Sequence, residues 1–303
     1  MTPLLSRLIP ITAATAAFFA LSSLLAADDL KNSLRQDLER VYGRWRSSIL
    51  TQNFERWRET TASYRQVITR NAILSRKQPF PASIFQLPIA PPALEGLQLL
   101  KFDIKNKTAV AVYYGPVDFN IEVDDIPNNL IILRFVYEDG EWRYDNSRYI
   151  NLAGAEHIRE EIANNELDFL DEEDFAPLDA VPPTGQLCPE PAFAAHLHLV
   201  SVGYRTTAQI NDFYEIEVAQ NGGTDIITGG LAAGDNTLKL QVERLELPPE
   251  AEKDRRFSLS IYALRREMNK APVRVFHLAP DADPPESLEK SIPIDPQIIN
   301  AQP

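Results

Sequence analysis

The spacing of apolar residues changes part-way along this 303-residue chain, and that change limits the folds open to it. Leu30, Leu34, Leu38, Val41, Trp45 and Ile49 recur at spacings of three and four, a single stripe along one helix. Asp28 or Asp29 supplies its N-cap and suits the positive end of the helix dipole. Asn53 reads as a second cap, ahead of a helix through Phe54, Trp57 and Thr61. A third helical segment carries Tyr64, Val67, Ile68, Ala72 and Ile73, and the proline-rich stretch 79–92 ends it.

Strand signals take over from Leu97. Residues 97–104 and 108–114 flank the turn Lys105-Asn106-Lys107, and 129–137 and 141–150 flank Glu138-Asp139-Gly140, in which Asp-Gly is a favoured hairpin turn. Helices first and an antiparallel meander second imply α+β architecture, with the helices on one face of a curved sheet.

The acidity is uneven. The formal charge is −13, and residues 151–190 hold eleven Asp and Glu against one Arg. That stretch reads as an acidic, proline-containing linker over 153–190. Leu167, Phe169, Leu170 and Phe175 could dock it on a domain surface, and Val181-Pro182-Pro183 forms a stiff exit. With most of the net negative charge in one place, and since phosphate neutralisation needs clustered Lys and Arg, nucleic acid is not the expected partner. Residues 191–278 read as a β-sandwich domain: candidate strands 196–202, 213–219, 236–245, 257–264 and 273–278 are separated by Asn- and Gly-rich turns. Residues 279–303, rich in Pro and Asp, read as a loosely ordered tail.

The first 27 residues carry one charge, Arg7, followed by an apolar run from Leu8 to Leu25 and the small residues Ala26 and Ala27. A basic start, an apolar middle and a small-residue exit are the order of a secretory signal peptide, which places the mature chain in a periplasm or outside the cell. The competing reading is an uncleaved anchor, because a bilayer takes about 20 residues to cross. Pro10, Thr12, Thr15, Ser22 and Ser23 dilute the run, while Leu24 or Leu25 falls where a small residue usually precedes the cut. No other run is long enough to span a membrane.

The long first helix with Trp45, the short helix led by Asn53-Phe54, the two hairpins and the closing Gly140-Glu141-Trp142-Arg143-Tyr144-Asp145 together resemble the nuclear transport factor 2 superfamily, which includes ketosteroid-isomerase-like and SnoaL-like proteins. The resemblance covers residues 28–152 and lies in element order more than in any one motif. It implies a cone of helices around a curved sheet, often enclosing a pocket. It does not imply a reaction, since such a fold hosts enzymes, binding modules and dimer scaffolds.

Pocket candidates at that cone are Tyr64, Arg65, Tyr113, Tyr114, Asp118, Trp142 and Asp145. Tyrosine and aspartate in an apolar cavity can move protons, but aromatics there also serve as core and charges as rim. The family's acid–base enzymes place an Asp base and a Tyr donor in the cavity. Neither aligns on a specific position here, so no catalytic residue is carried over, and enzyme activity is not the leading expectation. His196 and His198 sit at i and i+2 on one strand, a metal-capable spacing. Two ligands are too few, and His277 could join only if the sandwich brought the strands together. The run Asp171-Glu172-Glu173-Asp174 lacks the alternation and glycine of a calcium loop. Gly222-Gly223 and Gly229-Gly230 read as hairpin turns, and Cys188, the single cysteine, as an incidental thiol. The expectation is an exported noncatalytic protein binding a small molecule or an envelope protein, with no metal and no cofactor. A SnoaL-like enzyme acting on a small apolar substrate is the first alternative, and an envelope scaffold dimerising through its open sheet the second.

Overall fold

Thr12–Leu50 forms one continuous helix, α1, in the computed structural model, which describes residues 12–117, 128–265, 270–280 and 283–301, with side chains from residue 29 onward. Both expected cleavage positions, 26 and 27, fall within this helix. Gln52 takes a positive φ after it, and the Asn53 side chain accepts the backbone N–H of Arg56 at 3.0 Å, capping α2 (Phe54–Thr60) as its sequence predicts. Next come α3 (Ser63–Ser75), strands β1 (Gln98–Lys105), β2 (Thr108–Pro116), β3 (Asn128–Glu138) and β4 (Glu141–Ile150), and α4 (Glu156–Ala163). The remaining strands are β5 (Ala195–Val202), β6 (Tyr204–Ile210), β7 (Tyr214–Ala219), β8 (Gly222–Ile226), β9 (Gly234–Arg244), β10 (Arg256–Ala263), β11 (Val273–Leu278) and β12 (Ser287–Ile294), followed by α5 (Pro296–Ala301). The fold class is mixed α+β with antiparallel sheets. Among the described residues no helix is long and apolar enough to cross a membrane.

The chain divides into two compact units, Met1–Ala62 with Ile89–Val181, and Ser63–Pro88 with Pro182–Pro303. In the first, β1–β4 form an antiparallel meander in sequence order. The β3–β4 hairpin turns on Asp139 and Gly140, both at positive φ, which is the pair of conformations a two-residue turn requires. Both faces of this sheet are covered. On one, Leu38, Val41, Tyr42, Trp45 and Ile49 of α1 are buried, and Trp45 stacks on Tyr144 of β4 with ring centroids 3.9 Å apart. On the other, Val110, Val112, Leu130 and Ile132 share a core with Leu152, Ile162, Leu170 and Phe175.

This second layer corrects the reading of 153–190 as a linker. Through Val181 the acidic segment is a strap on the sheet, because its apolar residues match a face that would otherwise be wet. Its acids and carbonyls meet bases on the strands: Arg148 bonds Asp174 at 2.7 Å, Lys105 bonds Asp179, Lys101 donates to the Leu170 carbonyl and Arg134 to that of Asp174. The apolar stripe on α1 is also shorter than its spacing suggests, since Leu30 is 71% exposed.

The second unit pairs its strands as β11-β10-β5-β8 and β12-β9-β6-β7. Leu197, Leu199, Leu259 and Ile261 of one sheet share a core with Ala208, Ile210, Leu238, Leu240 and Ile292 of the other. Residues 287–294, expected in a loose tail, are strand β12 paired along β9, and Ile292, Ile294 and Ile299 are buried. Ile292 and Ile294 alternate with the exposed Ser291 and Pro293, which is enough for an edge strand once β9 supplies its ladder. The helix α3, expected beside the first two helices, groups with this unit: Asn71 donates to the Gln186 carbonyl and accepts the Cys188 N–H, while Ser75 accepts the Gly229 N–H. Cys188 is therefore a buried thiol packed under α3, and its burial raises its pKa. Gly230 has φ +53° and no room for a Cβ, which would sit 2.4 Å from the Phe193 carbonyl oxygen.

If the strap is held by its apolar contacts, Leu170→Ala and Phe175→Ala each destabilise by about 3 kcal/mol. The exposed change Glu172→Gln shifts stability by less than about 0.5 kcal/mol. Urea unfolding of the three variants separates these; equal midpoints would show that the strap adds nothing.

Candidate ligand cleft

Arg35, Glu39, Tyr42 and Arg46 follow one another on α1 at spacings of four, three and four, so they line one side of the helix. The Arg35 guanidinium pairs with Glu39 at 2.5 Å, and the Tyr113 hydroxyl on β2 donates to the same carboxylate oxygen at 2.7 Å. Further along, the Tyr42 hydroxyl donates to the Pro92 carbonyl at 2.8 Å and Arg46 Nε to that of Pro91 at 2.7 Å. These two bonds fix the irregular connection 91–97 against the helix. Between them the walls leave a cleft of about 380 Å³, closed on its apolar side by Ala93, Leu94, Leu97 and Leu99.

Burial is the main reason the Tyr113 phenol has a pKa well above the usual tyrosine value, with the Glu39 hydrogen bond and charge adding to it. Burial likewise raises Tyr42, helped by Tyr149. Tyr144 and Tyr149 are raised by burial as well. These phenols stay protonated around neutral pH; those of Tyr42 and Tyr113 donate hydrogen bonds, while that of Tyr149 accepts one from Ser147. Behind the cleft, Tyr42, Trp45 and Tyr144 stack from helix to sheet, and Phe135 meets Tyr144 edge-on, so rings fill the space.

Of the described residues expected at a common pocket, only Tyr113 reaches this cleft. Tyr114, its neighbour on β2, points to the opposite sheet face, toward the strap, and accepts a bond from Asn128. Tyr64 and Arg65 lie on α3 in the other unit, where Tyr64 is buried and Arg65 sits over its ring. Trp142 packs on Tyr137 and lines a separate groove of about 700 Å³ with Arg40, Arg44, Ser47 and Arg56. Asp145 is the extra residue of a bulge in β4, buried, and accepts from Asn146. Asp118 lies outside the described residues. A period-2 strand sends neighbours to opposite faces, so adjacent tyrosines could not share one pocket. In sequence Arg35, Glu39 and Arg46 look like solvated charges, and their spacing beside Tyr42 is the signal that they share the helix side of the cleft.

No family model, curated protein or solved structure matches this chain.

The raised phenols make stability sensitive to alkali. Below the unfolded tyrosine pKa of about 10 both states are protonated and the stabilisation is complete. As pH rises past that value the unfolded chain loses protons that the folded one keeps, so stability falls. Urea midpoints followed by tryptophan fluorescence should drop between pH 8 and pH 11, and less steeply in Tyr113→Phe; parallel curves would refute the assignment. At pH 8 the loss of its bond to Glu39 costs Tyr113→Phe about 1 kcal/mol.

Proposed function

We propose that this is an exported, noncatalytic binding protein whose helix-and-sheet unit holds a small ligand in the cleft between α1 and the 91–97 connection. The observation that carries the reading is the prearranged polar end of the cleft. Glu39 is held from two sides by Arg35 and Tyr113 before any ligand arrives, so little ordering is left for binding to do. The cleft volume of about 380 Å³ lies in the range of small-molecule sites. Arg46 spends its Nε on Pro91, which leaves its Nη groups for an anionic or carbonyl group, and the leucine wall suits an apolar body. Tyrosines kept protonated by burial favour holding over proton abstraction.

Export is part of the same reading and rests on the order of residues 1–27. From residue 29 onward Leu30 is exposed, and Leu38 is the first described residue of α1 in the buried core. The nuclear transport factor 2-like cone is supported by two helices followed by a meander in sequence order.

Protein exported to a periplasm and purified gently tests both parts by mass spectrometry. The denatured mass should lack the first 26 or 27 residues. The native mass should exceed it by a reproducible ligand, lost in Arg46→Ala and in Glu39→Gln. A full-length denatured mass would refute cleavage. A clean native mass equal to the denatured one would refute the cleft as a site for a retained ligand, and turnover abolished by Tyr113→Phe would refute the noncatalytic assignment.

A further inference from the structure

Asp37, Arg40, Arg44 and Ser47 follow one another on α1 at spacings of three, four and three, so they form one stripe along the helix. The stripe lines the groove of about 700 Å³ that Trp142 also lines. Arg40 is paired with Asp37 in the preceding turn. Arg44 has no such partner. The positions three and four residues from it along the helix are Arg40, Val41, Ser47 and Ser48, and among the described residues no ion pair or side-chain hydrogen bond engages it. Arg40 and Arg44 are like charges at i and i+4, an arrangement that costs a helix stability and that a bound anion relieves.

Two more elements close on the stripe. Arg56 of α2 donates through Nη1 to Ser47 Oγ at 3.3 Å, which holds its guanidinium at the end of the stripe, and a neutral hydroxyl does not cancel its charge. Trp142, near the start of β4, gives the groove an aromatic wall. Tyr137 of β3 packs on that ring with centroids 5.4 Å apart and does not line the groove, so it braces the indole from outside. Gly43 leaves the helix backbone bare in the groove: no atom lies within 4 Å of where its Cβ would stand, so the space there is open. The charge on the walls is three arginines against Asp37 and Glu141, on a chain whose formal charge is −13.

We propose that this groove binds an aryl oxyanion, a flat aromatic body bearing a carboxylate or phosphate group. Arg44 holds the oxyanion, with Arg40 one turn before it and Arg56 one turn after, and the ring lies against Trp142 and over Gly43. Side chains at i and i+4 start from Cβ atoms about 5–6 Å apart, close enough for two guanidiniums to meet one oxyanion. The guanidinium fork donates two parallel hydrogen bonds to a carboxylate or a phosphate alike. The indole calls for a π face on the same ligand, which a bare inorganic anion lacks. The groove's volume suits a molecule of that size. Glu141 is exposed on the wall and opposes an anion, which gives the site a second signature. Gly43 is the wall residue shared with the cleft, where Arg35 is already paired with Glu39, and neither site depends on the other.

Tag-free protein in a buffer free of phosphate and carboxylate, titrated by calorimetry with phenyl phosphate, benzoate and phenol, tests this. One phenyl phosphate or benzoate per chain is expected, the tighter of the two naming the oxyanion, and phenol should not bind. Affinity should fall by about tenfold or more in Arg44→Gln and by about threefold or more in Trp142→Ala, and should rise in Glu141→Gln. It should be unchanged in Arg58→Gln, which removes an exposed arginine of α2 outside the groove, and in Arg46→Ala, which alters the cleft. Absence of saturable binding, wild-type affinity in Arg44→Gln or Trp142→Ala, or an equal loss in Arg58→Gln would overturn the inference. A loss confined to Arg46→Ala would overturn it too, by assigning the anion to the cleft. Unaltered protein gives an independent readout: phenyl phosphate should shift the indole N–H resonance of Trp142 before those of the buried Trp45 and Trp57, and an unmoved Trp142 would also overturn it.

Discussion

The two central strands of the first unit are apolar on both faces, and most of that unit follows from covering them twice. Val110, Val112, Leu130 and Ile132 face one way, while Ala109, Ala111, Ile131, Leu133 and Phe135 face the other, and all are buried. A sheet of this kind cannot leave a face to water without exposing a continuous hydrophobic surface. The long helix α1 covers one side with aromatics. The other side is closed by apolar residues that lie in the acidic segment.

That pairing gives the uneven charge a structural sense. A segment with eleven acids would stay extended in solvent if it had nowhere to put Leu152, Ile162, Leu170 and Phe175. The sheet supplies the apolar face and a rim of Lys101, Lys105, Arg134 and Arg148 that meets the acids and carbonyls. The exposed ion pairs add little energy each, and their effect is to set register while the apolar anchors hold the strap. The second unit has its own version of the same arrangement, with the 186–188 backbone tied to Asn71 of α3 by two hydrogen bonds.

Much of the fold was legible because the relevant signals are local. The Asn53 cap, the Asp139-Gly140 turn and the boundaries of β2, β3 and β4 are decided within a few residues. The candidate site was hardly legible. Tyr113 carries a site residue's chemistry, Tyr114 faces the other way by the period of the strand, and Glu39 reads in sequence like any solvated helix charge. The unbroken apolar runs in β2 and β3 are the sequence mark of that second layer, because strands buried on both faces do not alternate.

From its order of residues alone the chain determined two helices before a meander, the hairpin turns, a Gly-punctuated β-rich half and a concentration of acid between them. Each depends on neighbours in sequence, through capping, turn geometry and side-chain period. Tertiary structure decided that the acidic segment is a layer of the core, that α3 belongs with the sandwich, that 287–294 pairs as a strand, and that Glu39 meets Tyr113 and Arg56 meets Ser47. Those outcomes depend on which distant surfaces are left uncovered and which strands pair, and a linear sequence records the residues that meet there without recording the meeting.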